Sequence, residues 1–198
     1  MKNICVYCGS NFGRDESYKR EAVHLAKCLL ERGLGLVYGG SNIGLMGTLA
    51  EIMTGGNGHV TGVIPKGLFP KKFANTEIND CILTEDMYER KKTMAKLADG
   101  FIALPGGIGT FEELFEILSL TQLGVLKKPI GILNINHFYD PFVSILDRAI
   151  SEEFMRDSNR KLYMVSESPE EILTFFENYA YPELDNKWRE TENKDEQK

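Results

Sequence analysis

The sequence alternates between short apolar segments and amphipathic helical segments, and glycine-rich turns join several of the first kind to the second. Such alternation is typical of repeated β–α–β units, in which the strands lie parallel and helices cover both faces of the sheet. We therefore predict an α/β fold: a single Rossmann-like, doubly wound domain with a mainly parallel sheet. The expected strands span 3–8, 35–38, 59–64, 81–84, 100–104, 129–133 and 163–165, and the expected helices span 17–32, 45–53, 86–98 (capped by Thr84 or Asp86), 110–123, 142–152 and 169–179.

Composition fits one compact domain followed by a charged tail. The chain has 198 residues, of which 42% are hydrophobic and 26% are charged, so it is long enough to bury a substantial core. We predict one domain over residues 1–182 and a charged, solvated tail, suited to disorder, over residues 183–198. Residues 66–80 show no regular pattern, and we expect a surface excursion of the kind that often carries function.

Charge and hydropathy exclude several classes of protein. No apolar stretch approaches the roughly 20 residues that cross a bilayer, and a strand-like segment follows Met1 in place of a signal peptide. We therefore expect a cytoplasmic protein without a membrane partner. The formal net charge of -6 argues against an extended nucleic-acid interface. A small phosphorylated ligand needs only a local cationic patch, which the run Arg90, Lys91 and Lys92 can supply.

One glycine-rich turn, LPGGIGTFEE at residues 104–113, has the features of a phosphate site. Without Cβ atoms at Gly106, Gly107 and Gly109, backbone N–H groups and a helix N-terminus can face an anion. Two glutamates follow at once, and they should repel a phosphate unless they lie to one side of it. An acid kept there suggests chemistry on the rest of the ligand. The alternative is an ordinary turn that only joins a strand to a helix.

A second turn, VYGGSNIGLMG at residues 37–47, repeats this layout with Gly39, Gly40 and Gly44. Gly9 and Ser10 likewise follow the first expected strand. In doubly wound sheets ligands bind beyond the carboxyl ends of the strands, at the point where the strand order reverses. These turns are therefore expected to form the walls of one crevice.

The known nucleotide motifs are missing from both turns. Neither turn contains G-x-G-x-x-G, and the chain has neither a Walker sequence G-x-x-x-x-G-K-[ST] nor a G-x-S-x-G elbow. NAD binding is therefore disfavoured, and no cofactor is expected. What remains is a pocket for one phosphate and the group attached to it.

Cysteines and histidines give no signal for a metal. The four cysteines are too few and too scattered for a disulfide framework, and the C-x-x-C pair begins inside an expected strand with no second pair to complete a zinc site. The three histidines are isolated from one another, without metal-ligand spacing, so structural or surface roles are expected. These residues are Cys5, Cys8, Cys28, Cys81, His24, His59 and His137.

The nine residues PGGIGTFEE, at 105–113, match the PGGxGTxxE signature of the LONELY GUY family of cytokinin riboside 5′-monophosphate phosphoribohydrolases. The chain resembles that family over nearly its whole length, to about Trp188. Further matches follow in family order: CGS at 8–10, YGGSNIGLMG at 38–47, GVIPKGL at 62–68, MYERK at 87–91, LADGFIALPGG at 97–107 and QLGVLKKPIGILN at 122–134.

The resemblance implies an enzyme that removes an N6-modified adenine from its nucleoside 5′-monophosphate and leaves ribose 5-phosphate. It implies Arg90 and Glu113 as the catalytic pair and a homodimer with the site near the interface, with no metal. The substrate-binding residues expected on this basis and from the glycine turns are Ser10, Gly39, Gly40, Gly44, Met87, Lys91, Gly106, Gly107, Gly109, Thr110, Glu112 and Ser119.

Three departures from the family pattern bear on substrate choice: Tyr88 replaces a usual histidine, Lys72 an acidic residue of many plant members, and Ser119 a frequent threonine. Related sequences often carry the label "lysine decarboxylase", but a pyridoxal-phosphate enzyme of that class commonly has its lysine after a histidine, and none of the three histidines here precedes a lysine. A non-catalytic nucleotide or cofactor carrier on the same fold stays open as the alternative.

Overall fold

The structure is a computed structural model that describes residues 1–67, 75 and 77–184. Within that part of the chain, seven parallel strands form one sheet in the order β4-β3-β2-β1-β5-β6-β7. The predicted α/β class is confirmed, and the sheet described is parallel throughout. Its strands are β1 (Asn3–Tyr7), β2 (Gly35–Tyr38), β3 (Val60–Pro65), β4 (Asp80–Thr84), β5 (Gly100–Ala103), β6 (Ile130–Leu133) and β7 (Tyr163–Ser166).

Helices cover both faces of this sheet. One buried cluster joins the strands to three helices through residues such as Leu25, Leu49 and Ile172. A second cluster, which includes Met94, Leu114 and Leu146, joins them to the other three helices. The helices on the first face are α1 (Glu16–Glu31), α2 (Gly44–Gly55) and α6 (Pro169–Glu177), and those on the second face are α3 (Met87–Leu97), α4 (Ile108–Gln122) and α5 (Asp140–Ser151).

The strand order reverses between β1 and β5. The chain runs outward from β1 through β2 and β3 to β4, and then returns to place β5 on the other side of β1. The turns after β1 and β5 diverge toward opposite faces at this point, which leaves a crevice at the carboxyl edge of the sheet. The topology therefore puts the ligand site of such folds beside the turns that the sequence singles out.

The predicted elements are all present, and none of their ends differs from the observed end by more than two residues. Asp86 is the N-cap of α3: its Oδ1 accepts a 2.8 Å hydrogen bond from the backbone N–H of Glu89. The prediction for α4 was too short, because this helix begins at Ile108 and Gly107 is its N-cap. Two short 3-10 helices, Ile135–His137 and Asp157–Leu162, were not predicted, since segments of three to six residues show no clear periodicity.

Several predictions fall on residues that the structure does not describe. Lys72 and most of the 66–80 excursion lie outside the described residues, as do Trp188 and the tail from residue 185 onward. The division into a domain over 1–182 and a tail stays a prediction. None of the helices in the described ranges is long and apolar enough to cross a bilayer.

Candidate active site

The three glycine-rich turns meet at the carboxyl edge of the sheet. The backbone N–H of Gly9, after β1, donates a 3.1 Å hydrogen bond to the carbonyl of Pro105, after β5. Gly44, which opens α2, has φ = +62°, and a Cβ atom there would overlap the backbone of Ser10. The turn after β1 is therefore held between the two others, and Ser10 lies exposed between them.

Glycines at the start of α4 leave space that the fold itself does not fill. No side chain caps this helix. A Cβ atom on Gly106 would collide with the buried Thr110, so Gly106 has a packing role. At Gly107 and Gly109, by contrast, a Cβ atom would meet nothing within 4 Å, and neither residue has a positive φ. Packing therefore does not account for these two glycines, whereas an anion at the helix N-terminus would.

Arg90 and Glu113 form a buried ion pair beside these turns. The Nη1 atom of Arg90, on α3, donates a 2.6 Å hydrogen bond to Oε1 of Glu113, on α4. Its Nε donates a 3.1 Å bond to the carbonyl of Val63, on β3. The two charged residues are only 7% and 8% exposed. A guanidinium with two fixed partners is held in one orientation, as recognition of a planar or charged group requires.

The turn after β2 leaves room for this guanidinium. A Cβ atom on Gly39 would lie 2.6 Å from Nη2 of Arg90. Its neighbour Gly40 accepts a 2.9 Å hydrogen bond at its carbonyl from the backbone N–H of Asn75. Gly39 therefore packs against the guanidinium of Arg90. Gly40, the next residue, bonds to Asn75.

Burial and the charge of Arg90 have opposite effects on the pKa of Glu113. Burial raises the pKa of Glu113 above its ordinary value of 4.5, although the Arg90 guanidinium, which is the largest opposing influence, favours the ionised form. Perturbed carboxyl groups beside a fixed cation cluster at functional sites, so this pair is a candidate for the chemistry of the crevice.

Pairing with α3 explains why two glutamates can stand near a phosphate site. Glu113 pairs with Arg90, and Glu112 pairs with the next cation, Lys91, which also lies 3.2 Å from Glu116. Partial burial lowers the pKa of Lys91, but its bonds to Glu112 and Glu116 outweigh this and raise it. Consecutive cations of α3 therefore offset consecutive acids of α4, and the expected repulsion is resolved.

The remaining predicted residues lie farther from the ion pair or at the surface. Met87, the first residue of α3, is exposed, as is Tyr88, whose ring centroid lies 5.6 Å from Nζ of Lys91. Ser119 is exposed on α4, six residues after Glu113, which corresponds to about 9 Å of helix rise. The structure does not bring Ser119 to the ion pair within one chain.

Sequence reasoning missed the carbonyl of Val63. This carbonyl holds Arg90 in place. Because every residue has a backbone carbonyl, no residue type in the sequence marks such a contact. It also missed Tyr139, whose buried hydroxyl donates a 2.7 Å hydrogen bond to the carbonyl of Leu104 and so steadies the strand end before the glycines. Neither the burial of Tyr139 nor its acceptor could be recognised from the sequence.

A surface cavity of about 630 Å³ borders the same turns on the α2 side. Gly44, Gly47 and Thr48 line it, together with Phe12 and Lys19. Neither Arg90 nor Glu113 is among its lining residues, so we do not assign it to the reaction. Its volume lies in the range of small-molecule sites.

The sheet is parallel and doubly wound, with glycine turns at its reversal point and a buried arginine–glutamate pair beside them. These features define a Rossmann-like α/β protein with a polar candidate site. A family model described as "Possible lysine decarboxylase" matches residues 46–176. The cytokinin riboside 5′-monophosphate phosphoribohydrolase LOG of Oryza sativa subsp. japonica is 47% identical over 180 residues, 91% of this chain and 74% of that protein. The phosphoribohydrolase LOG1 of Arabidopsis thaliana is 42% identical over 180 residues, 91% of this chain and 84% of that protein. The chain therefore belongs to the LOG family, as its signature predicted.

Solved structures share the fold at lower identity. The molybdenum cofactor binding protein of Rippkaea orientalis has a TM-score of 0.68 and 19% identity, covering 90% of this chain and 97% of that one. The Moco carrier protein of Chlamydomonas reinhardtii has a TM-score of 0.66 and 20% identity, covering 89% and 96%. Likeness at this level of identity shows the fold alone.

Proposed function

We propose that the protein hydrolyses the N-glycosidic bond of an adenosine 5′-monophosphate, N6-modified in the cytokinin case, and releases the free base and ribose 5-phosphate. The observation that carries this proposal is the buried Arg90–Glu113 pair beside the open start of α4. Membership of a family whose relatives are named phosphoribohydrolases supports it. One water is consumed: its hydroxyl joins the anomeric carbon, and its proton leaves with the base.

The two residues suit the two parts of this reaction. Cleavage of the bond develops positive charge on the ribose, and the carboxylate of Glu113 can stabilise that charge or activate the water. Arg90, fixed by the Val63 carbonyl and by Glu113, orients the nucleotide through its planar guanidinium. The N-terminus of α4 at Gly107 and Gly109 holds the 5′-phosphate.

The other substrate contacts of the proposal follow from position. Ser10, Gly39, Gly40 and Gly44 would wall the crevice on the β1 and β2 side. Met87, Lys91 and Glu112 would meet the ribose or base from the α3 side, and Thr110 would support the phosphate turn. Ser119 would reach a substrate only from another subunit, since about 9 Å of helix rise separates it from Glu113.

A non-catalytic carrier is the second candidate. It stays open because a fold does not fix a function, and the glycine turns could hold a nucleotide without cleaving it. A carrier would keep the glycine turns but would not need the Arg90–Glu113 pair. Burying both charges of such a pair costs free energy of folding, so a carrier would gain nothing from it. The hydrolase therefore ranks first.

A homodimer in the cytoplasm completes the proposal. Phe115 of α4 contacts Phe142 of α5, with ring centroids 4.8 Å apart, and Ile145 lies exposed one turn along α5. This apolar α4–α5 face adjoins the helix that carries Glu113, so pairing through it would place the site near the interface. The four free cysteines suit a reducing compartment, and the acidic net charge suits a protein without a nucleic-acid partner.

The reaction is tested with purified protein, AMP and isopentenyladenosine 5′-monophosphate, with free base and ribose 5-phosphate followed by chromatography. Wild type and the control Glu116→Gln, which lies on the same helix and also contacts Lys91, are expected to release base. Glu113→Gln is expected to bind AMP but release none. If wild type binds AMP and cleaves neither nucleotide, the carrier takes precedence.

The dimer is tested by light scattering coupled to gel filtration. Phe115→Glu is expected to yield monomers. Leu83→Glu, which adds the same charge at an exposed position of β4, is expected to leave the mass of a dimer. A wild-type protein that elutes as a monomer at micromolar concentration would refute this part of the proposal.

A further inference from the structure

Three side chains that the sequence left unrelated converge between α1 and α6. His24 and Cys28 are four residues apart on α1 and so share one helix face. Glu170 lies in the first turn of α6, with its Oε1 atom 2.6 Å from Nε2 of His24 and 3.4 Å from Sγ of Cys28. The three potential ligand atoms all lie within 4.8 Å of one another.

Packing fixes the positions of these side chains. Leu25 and Leu29 of α1 share one buried cluster with Ile172 and Phe176 of α6. Cys28 itself is 2% exposed, and its thiol contacts the carboxylate of Glu170 at 3.4 Å. Ligands on packed helices hold their geometry better than ligands on loops. The cluster therefore does not depend on a mobile segment.

Partners outside the cluster orient two of the ligands. Oε2 of Glu21 lies 3.0 Å from Nδ1 of His24, and the Oγ atom of Ser168 donates a 2.8 Å hydrogen bond to Oε2 of Glu170. A carboxylate on one ring nitrogen of a histidine fixes the ring and leaves the other nitrogen to bind a metal. The arrangement of Glu21, His24 and the facing ligands has this form.

We propose that His24, Cys28 and Glu170 bind a zinc ion that links α1 to α6. Imidazole nitrogen, thiolate sulfur and carboxylate oxygen together are a zinc ligand set, with water in the fourth position. Bonds of about 2.0–2.3 Å set tetrahedral edges of about 3.3–3.7 Å. The Cys28–Glu170 separation already fits, and the His24–Glu170 separation must widen by about 0.7 Å. Binding displaces the proton of the thiol and requires the neutral imidazole of His24.

The site is separate from the proposed reaction. Cys28 belongs to the buried cluster on one face of the sheet, whereas Arg90 and Glu113 lie on α3 and α4, which cover the other face. The ion would link α1, near the start of the domain, to α6, near its end, and so stabilise their packing. Its binding is therefore measurable without any activity assay.

Cobalt is the probe, because Co²⁺ substitutes for Zn²⁺ and its thiolate complexes absorb through sulfur-to-metal charge transfer. Reduced wild-type protein is expected to show this band at one equivalent of Co²⁺, and added Zn²⁺ is expected to remove it. Cys28→Ser is expected to lack the band. Cys81→Ser, which removes the exposed cysteine on β4 outside the cluster, is expected to keep it.

Thermal unfolding supplies the second measurement. At a hundredfold excess of free Zn²⁺ over Kd, the Tm of wild type is expected to rise by about 5–10 °C, and that of Glu170→Gln by clearly less. If Cys28→Ser does not fold, His24→Gln takes its place and is expected to weaken Co²⁺ binding at least tenfold. A folded wild type without the band would show that the cluster binds no Co²⁺, and a band that survives Cys28→Ser would place the thiolate ligand elsewhere. Either result would overturn the proposal.

Discussion

Arg90 and Glu113 are locked together across two helices: Nη1 of the arginine lies 2.6 Å from Oε1 of the glutamate, while its Nε is bound to the carbonyl of Val63. The guanidinium therefore spans α3, α4 and β3 with two of its donors. It also occupies the space beside Gly39 that a Cβ atom would take. The catalytic candidates are thus positioned by the framework of the sheet, with their geometry set before any ligand arrives.

Arg90→Lys is expected to lower kcat/KM by about 10²–10³-fold, with binding of AMP weakened as well. A lysine keeps the charge, but a single ammonium cannot bond the Val63 carbonyl and Glu113 as the planar fork does. Steady-state kinetics, together with circular dichroism to confirm the fold, measure this effect.

Arg148→Lys provides the matched control. Arg148 pairs with Glu152 at 2.7 Å on the surface of α5, where an exposed ion pair contributes little to stability. The Arg148→Lys variant should therefore retain wild-type kinetics. An Arg90→Lys enzyme with wild-type kcat/KM would remove Arg90 from the proposed mechanism.

The pH profile of the reaction should report the raised pKa of Glu113. Burial raises that pKa above 4.5, so the ionised form is lost at a higher pH than for an exposed glutamate, and kcat should fall as the pH drops through the raised value. The charge of Glu112 raises the same pKa further. Glu112→Gln should therefore move the acid limb of the kcat profile to lower pH.

Glu116→Gln is the comparison for this shift, since Glu116 pairs with Lys91 at 3.2 Å but is not among the main influences on the pKa of Glu113. Its acid limb should stay at the wild-type pH. A limb that moves upward in Glu112→Gln, or that is absent from the wild type over the range in which the protein is folded, would contradict a role for ionised Glu113.

The fold and the turns could be predicted from the sequence because they rest on local signals. Apolar runs, amphipathic periods and glycines mark β1, β2, β5 and the helices after them, and parallel pairing then forces their turns to one edge. The role of Arg90 came from the family signature. Local patterns alone could not pair it with Glu113, since 23 positions separate the two.

Contacts between helices that are far apart in the chain could not be predicted from the sequence for the same reason. Cys28 and Glu170 are 142 positions apart, and nothing in either neighbourhood indicates the other. The start of α4 was placed two residues late, at Thr110, because glycine discourages a helix assignment, whereas the structure begins this helix at Ile108 and includes Gly109 in its first turn. In that case the packing of the helix overrides the propensity of its first residues.

Gly109→Ala should separate ligand binding from stability. The fold offers open space at this position and a helical backbone, so alanine should leave the Tm unchanged or raise the stability by about 0.4–1 kcal/mol. A methyl group where the phosphate approaches should nevertheless weaken AMP binding by about tenfold or more. Isothermal titration with AMP and with adenosine measures this, and adenosine, without a phosphate, should be affected less.

Gly55→Ala is the control for this effect, because Gly55 also has open space around it and ends helix α2 away from the proposed phosphate turn. It should show the same small change in stability and no change in AMP binding. Wild-type AMP affinity in Gly109→Ala would rule out a phosphate at this part of α4.

Gly44→Ala should destabilise the protein by at least about 2 kcal/mol, because two costs add. Its φ of +62° is unfavourable for a residue with a side chain, and a Cβ atom would also overlap the backbone of Ser10. Gly33→Ala isolates the first cost: its φ is +64°, but a Cβ atom there meets nothing within 4 Å. Urea unfolding should therefore give a loss of about 1–2 kcal/mol for Gly33→Ala and a larger loss for Gly44→Ala. Equal losses would show that the turn after β1 can move away from α2 at no cost in stability. The contact between Gly44 and the backbone of Ser10 would then not fix the position of Ser10.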